Sequence, residues 1–242
     1  MNKLVVLNNK MYLDYSDIKD YIFKMKDIIR RDLDVVICPS SIFIPFFSGK
    51  YDFLLGAQNI AGKPATGEIS GLQLKSVGVK YAIVGHMERR INFNETNQII
   101  NMKIKDALDN GITPIVCLGD TLEQRECKKT QDVIVKQLRE CLRGVDVKED
   151  IIFAYEPCWA IGTDVIPSNE DISSVVDMIK NAIFRVHGVK IRVLYGGSVD
   201  ESNIKVLEKI KNLDGYLIGR AGIYPDKIKK IMDYIKWFDK KR

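Results

Sequence analysis

Ile151-Ile152-Phe153-Ala154-Tyr155-Glu156-Pro157 is an unbroken apolar run that stops at a carboxylate and a proline. It is too short for a buried helix and is rich in β-branched and aromatic residues. It also lacks the alternating polar positions of a half-solvated strand, so it reads as a parallel strand covered on both faces. The same kind of run recurs at Leu4–Leu7, Val35–Cys38, Phe53–Ala57, Tyr81–Val84, Ile112–Cys117, Ile191–Tyr195 and Tyr216–Ile218. Between the runs lie helical patterns at Ser16–Arg31, Asn94–Asn110, Thr121–Arg143, Ser168–His187, Asp200–Lys209 and Pro225–Phe238, with a short helix near Leu72–Val77. Start and stop signals agree: Ser168 with Asp171, Ser198 and Asp200 ahead of Ile204, and Asn110-Gly111 as a helix end. About eight strand–helix units in 242 residues favour a closed α/β barrel, (β/α)8, over an open doubly wound sheet, and predict one domain spanning residues 1–242.

Composition narrows the function classes. The chain is 46% hydrophobic and 29% charged, with a net charge of +5. Its Lys and Arg are dispersed apart from Lys240-Lys241-Arg242, so no nucleic-acid partner is expected. No segment approaches membrane-spanning length, and Met1–Asn9 holds too short an apolar stretch for a signal peptide. The cysteines, Cys38, Cys117, Cys127, Cys141 and Cys158, are odd in number and lack CxxC spacing, which points to a reducing, cytoplasmic setting. With only His86 and His187 in the chain, neither a metal site nor a cysteine–histidine catalyst is expected.

A barrel of this kind collects its chemistry at the C-terminal ends of its strands. Lys10 follows the first run, His86 the fourth and Glu156 the sixth: a cation, an imidazole and a carboxylate, which together suit general acid–base catalysis. Tyr195-Gly196-Gly197-Ser198 follows the seventh run and Ile218-Gly219-Arg220-Ala221-Gly222 the eighth. Paired glycine loops at these two positions suit an anion held by backbone N–H groups. Gly56 to Gly62-Lys63 has the wrong glycine spacing for a P-loop, and no GxGxxG occurs. Taken singly, Lys10 reads as a solvated lysine, and His86 serves equally as a structural or a catalytic ring. Arg89 and Glu95 read as a structural ion pair.

The ordered set resembles the triosephosphate isomerase family. Asn8-Asn9-Lys10-Met11 is similar to its first-strand motif and Gly85-His86-Met87-Glu88-Arg89-Arg90 to its fourth. Ala154-Tyr155-Glu156-Pro157-Cys158-Trp159-Ala160-Ile161-Gly162-Thr163 resembles its catalytic strand and mobile lid, and Tyr195-Gly196-Gly197-Ser198-Val199 its seventh-strand motif. Gly56-Ala57-Gln58-Asn59 and Thr66-Gly67-Glu68 resemble its third strand and the following loop.

The resemblance implies a single TIM barrel and a cofactor-free, metal-free aldose–ketose isomerase of glycolysis and gluconeogenesis. It would interconvert glyceraldehyde 3-phosphate and dihydroxyacetone phosphate. In that reading Glu156 is the base, His86 a neutral electrophile and Lys10 the cation that offsets developing charge. The pairing of a carboxylate base with a neutral imidazole is the general worked case for this family. Substrate is bound by Asn8, Lys10, Gly162, Ser198, Gly219 and Arg220, beneath a lid formed by Pro157–Pro167. The Thr66-Gly67-Glu68 loop implies a homodimer.

Several positions depart from the family pattern: Asn9 for Trp, Met87 for Ser, Asp120 for Glu, Asp164-Val165 for Gly-Lys, and Arg220 for Gly. Pro167 has no N–H, so no hydrogen bond from that position to Tyr195 can form. Met87 and Arg220 motivate a competing expectation, the same chemistry on a phosphorylated tetrulose. A catalytically silent sugar-phosphate binder and a Schiff-base aldolase using Lys10 stand further off, because the Lys10, His86 and Glu156 set is complete and no apolar lysine pocket is evident.

Overall fold

The computed structural model describes residues 2–29, 32–49, 53–148, 150–161 and 166–239. Eight parallel strands close on themselves in chain order: β1 Leu4–Asn8, β2 Asp34–Cys38, β3 Leu54–Ala57, β4 Tyr81–Val84, β5 Thr113–Leu118, β6 Ile152–Tyr155, β7 Arg192–Tyr195 and β8 Gly215–Ile218. Closure comes from β8 pairing with β1, with Leu4 opposite Gly215 and Leu7 opposite Ile218. Gly215 permits that join. Its φ is +154°, and a β-carbon there would fall 1.9 Å from the Leu4 carbonyl oxygen.

Strand parity divides the apolar residues into two layers. One buried cluster is drawn from strands alone: Leu4, Val6, Val36, Cys38, Ile83, Ile115, Cys117, Ile152, Ala154, Leu194 and Leu217. These alternate residues fill the barrel. Their neighbours, such as Val5, Leu7, Val35, Phe153 and Val193, face outward. They pack with helical residues including Ile18, Ile100, Ile104, Val176 and Ile228 in a larger cluster. Continuing the inward series by one step past the strand ends reaches Asn8, Gly119, Glu156, Gly196 and Gly219, which form the uppermost layer of the barrel.

The helices are α1 Tyr15–Ile28, α2 Ile44–Phe47, α3 Gly71–Ser76, α4 Met87–Asn92, α5 Asn97–Asp109, α6 Leu122–Glu126, α7 Thr130–Cys141, α8 Asn169–His187, α9 Ile204–Leu207 and α10 Pro225–Asp239. The cap signals at Ser168 and at Asn110-Gly111 operate as expected. The Ser168 hydroxyl accepts from the Asp171 N–H at 3.1 Å, and Gly111 follows α5 with φ +68°. Three helical expectations are corrected. The pattern at Thr121–Arg143 is two helices, broken where Lys128 adopts φ +55°. The pattern beginning at Asn94 starts at Asn97, behind a Thr96 cap, because Asn94 itself sits at φ +52°. Asp200–Lys209 shrinks to α9, since the Asp200 carboxylate accepts from the Ser202 and Asn203 N–H groups and holds a turn there instead. The short helices α2 and α4 were not expected.

Candidate active site

Lys10, His86 and Glu156 line one cavity of about 530 Å³ at the C-terminal mouth of the barrel, together with Asn8, Ser198, Gly219 and Arg220. Three distant segments therefore meet there, as the strand-end positions implied. Gly162, with the lid positions Asp164 and Val165, lies outside the described residues.

Glu156 is fully buried. Its Oε2 accepts the Met87 backbone N–H at 2.9 Å, while Oε1 has no hydrogen-bond partner among the described residues and lies 3.4 Å from His86 Nε2. A buried carboxylate with one tethered and one open oxygen is costly unless the open oxygen has a task. Two glycines make room for it. A β-carbon on Gly196 would meet Glu156 Cγ at 2.8 Å, and one on Gly119 would fall 1.9 Å from the Glu156 carbonyl oxygen. Gly119 was not singled out from sequence and Gly196 only as part of an anion loop, although both stand on the inward parity of their strands.

His86 is the N-cap of α4, and its Nδ1 accepts the Glu88 N–H at 3.2 Å. Nδ1 therefore carries no proton, the ring proton sits on Nε2, and Nε2 faces the cavity as a donor. A serine hydroxyl at position 87 could hold the resting base or cap the helix, and both tasks are met here without it. The main-chain N–H of Met87 holds the carboxylate, and the imidazole caps the helix.

Lys10 occupies the left-handed region with φ +49°, uncommon for a residue with a side chain. Its conformation is over-determined. Its N–H donates to Asn8 Oδ1 at 3.1 Å, and its carbonyl accepts from Ser40 Oγ and Gln58 Nε2, both at 2.8 Å. The ammonium pairs with the Glu88 carboxylate, a partner that sequence reasoning did not assign. The Asn8 oxygen is thus committed to shaping the Lys10 turn.

The glycine loops meet the same cavity. Ser198 Oγ donates to the Ala160 carbonyl at 2.8 Å, joining the seventh-strand loop to the base of the loop after β6. Asp120, fully buried, accepts from Tyr155 Oη at 3.1 Å and Thr130 Oγ1 at 2.6 Å, and its carbonyl accepts the Cys158 N–H at 3.0 Å. Burial drives the Tyr155 phenol up, with the Asp120 charge adding to the effect, so it stays a neutral donor. Cys158 is pushed up to about 12, chiefly by burial, and burial also raises Cys38 and Cys117, which marks these thiols as inert. The Tyr195 hydroxyl is buried without a partner among the described residues, and Pro167 is buried with no N–H to offer.

Arg89 and Lys103 both pair with Glu95, Lys103 at 2.5 Å. Lys103 also donates to Asn59 at 2.7 Å, which makes this a structural network tying α5 to the loop after β3. Among the described residues no His, Cys, Asp and Glu cluster suits a metal ion, and no helix is long and apolar enough to cross a membrane.

The arrangement can abstract a proton at Glu156 while His86 Nε2 donates to a neighbouring oxygen. Comparison with known proteins agrees with that chemistry. The family model described as "Triosephosphate isomerase" matches residues 3–235. The chain is 38% identical over 237 residues to the triosephosphate isomerase of Dictyoglomus thermophilum, covering 92% of this chain and 95% of that one. It is 37% identical over 249 aligned positions to that of Mycoplasmopsis pulmonis (97% and 98% covered) and 36% over 248 to that of Alkaliphilus oremlandii (97% and 100%).

Proposed function

The chain belongs to the triosephosphate isomerase family, and from that premise we propose the roles of its individual residues in the reaction. It is an aldose–ketose isomerase that interconverts D-glyceraldehyde 3-phosphate and dihydroxyacetone phosphate. Glu156 takes the proton from the carbon beside the substrate carbonyl. As electrons move onto the carbonyl oxygen, His86 Nε2–H stabilises it by hydrogen bonding, giving an enediolate. The hydroxyl proton passes from its oxygen to the former carbonyl oxygen by way of His86 Nε2, and Glu156 returns the carbon-bound proton to the adjacent carbon, which completes the exchange of aldehyde and ketone. Lys10 offsets the charge of phosphate and intermediate, and the loops at Gly196–Ser198 and Gly219–Arg220 receive the phosphate. Asn8 and Ser198 act at the same rim.

One observation carries this reading: a fully buried carboxylate whose unpartnered oxygen lies 3.4 Å from an imidazole nitrogen that bears the ring's proton. The reaction conserves atoms and redox state overall, so the chemistry calls for no cofactor. The test is turnover of purified protein on triose and tetrulose phosphates, alongside Glu156→Gln. The substitution is expected to lower kcat by about a thousandfold or more, as loss of a positioned base does. Near-normal turnover in that variant, or a preference for tetrulose phosphate, would overturn the assignment.

The homodimer is part of the same proposal. Met11 is 87% exposed beside Lys10, and the Thr66-Gly67-Glu68 loop stands out into solvent, a combination that suits burial against a second copy. A single domain working in the cytoplasm, in glycolysis and gluconeogenesis, completes the reading, supported by the closed barrel and the free cysteines.

A further inference from the structure

Three cationic side chains line the cavity: Lys10, Arg220 and Lys227. Lys10 is paired with Glu88, and Lys227 with Glu201 at 3.1 Å. Arg220 makes neither a hydrogen bond nor an ion pair among the described residues, and it is solvent-exposed at the rim. It opens the turn Arg220–Ile223, which is closed by the Gly222 N–H donating to the Gly219 carbonyl at 2.8 Å. The unusual backbone angles of that turn fall on Gly219, with φ −89° and ψ −106°, and Arg220 is not among the residues with positive φ. The side chain is therefore added without backbone strain, and the main-chain N–H groups of the turn are kept. Gly219 also lies against Lys10: a β-carbon built there would be 3.5 Å from Lys10 Cε.

The glycine next to Arg220 thus borders Lys10, whose ammonium is held by Glu88, while the guanidinium of Arg220 stands at the cavity mouth. Resting on the phosphate site proposed above, we infer that the Arg220 guanidinium is itself a ligand of the substrate phosphate and adds to the preference of this enzyme for phosphorylated over uncharged substrate. A planar fork of N–H donors matches the oxygens of a phosphate dianion, and such charge-assisted bonds are about twice as strong as neutral ones. Among the described residues no carboxylate occupies Arg220, so none of them has to be displaced when the phosphate arrives.

The test uses Arg220→Met, which removes the charge and keeps the backbone N–H, and Arg220→Lys, which keeps the charge and loses the fork. With Arg220→Met, KM for glyceraldehyde 3-phosphate and the inhibition constant of inorganic phosphate should each rise about tenfold, the loss typical of one charged hydrogen bond. The ratio of kcat/KM for glyceraldehyde 3-phosphate to that for glyceraldehyde should fall by a similar factor, with Arg220→Lys between the extremes. Unchanged KM and phosphate inhibition in Arg220→Met would overturn the inference, as would a loss confined to kcat. Should the unsubstituted protein fail to isomerise the triose phosphate, the parent reading falls, and the Kd of inorganic phosphate measured by calorimetry on both proteins still decides the role of Arg220. The side chain is exposed and makes no hydrogen bond or ion pair among the described residues, so equal melting temperatures are expected. If Arg220→Met proves unfolded, the Kd of inorganic phosphate for Arg220→Lys decides alone: an unchanged value refutes the fork.

Discussion

At the scale of single residues, the main chain carries much of what side chains are usually credited with. The Met87 N–H holds Glu156, and the Glu88 N–H fixes the His86 tautomer, so a thioether beside the imidazole costs the site neither function. What Glu156 cannot do without is space. A β-carbon at Gly196 would press on Glu156 Cγ at 2.8 Å, and this side chain is fully buried. Gly196→Ala should therefore displace the carboxylate and lower kcat about a hundredfold, as ångström-scale misplacement of a catalytic group does, with a smaller change in KM. Steady-state kinetics checks this; an unchanged kcat would show that the cavity yields instead. Glu156 itself was legible in the sequence because a carboxylate at the end of an apolar strand and followed by proline is hard to explain as mere surface, a structural ion pair being the one bland alternative. Glu88 was not, because its pairing with Lys10 joins residues far apart in the chain.

At the scale of elements, strand cores were legible and helix interruptions were not. Tyr81–Val84 is observed as read, and the other strands differ by a residue or so at their ends. Runs buried on both faces announce themselves by composition alone. The split between α6 and α7 rests on one residue, Lys128 at φ +55°, in a stretch whose helical periodicity continues across the break. The left-handed region costs a residue with a β-carbon about 1 kcal/mol or more, partly offset in glycine by greater freedom when unfolded. Lys128→Gly is expected to raise stability by up to about 1 kcal/mol, read from urea unfolding. A clear loss would mean that the Lys128 side chain contributes something its backbone angles do not reveal.

At the scale of the whole molecule, the barrel is secured at the end opposite the site. Lys3 Nζ pairs with Glu208 Oε1 at 2.6 Å, and Tyr216 Oη donates to the same oxygen at 2.5 Å, with both charged residues buried. Glu208→Leu should cost about 3 kcal/mol because it strands a buried ammonium, whereas Lys3→Met with Glu208→Leu should cost distinctly less. Chemical denaturation of both variants tests this, and equal costs would mean that the ammonium escapes to water. The sequence alone determined the (β/α)8 class, the order of its strands and the residues standing at their ends, because hydrophobic periodicity and turn chemistry are local. Only the tertiary structure decided which strand residues face inward, that Gly119 and Gly196 leave room for Glu156, that Glu88 holds Lys10 and that Arg220 stands unpaired. Closing a sheet into a barrel sets the parity of every strand at once, and a side chain's partner across the barrel leaves no trace in its own neighbourhood of the chain.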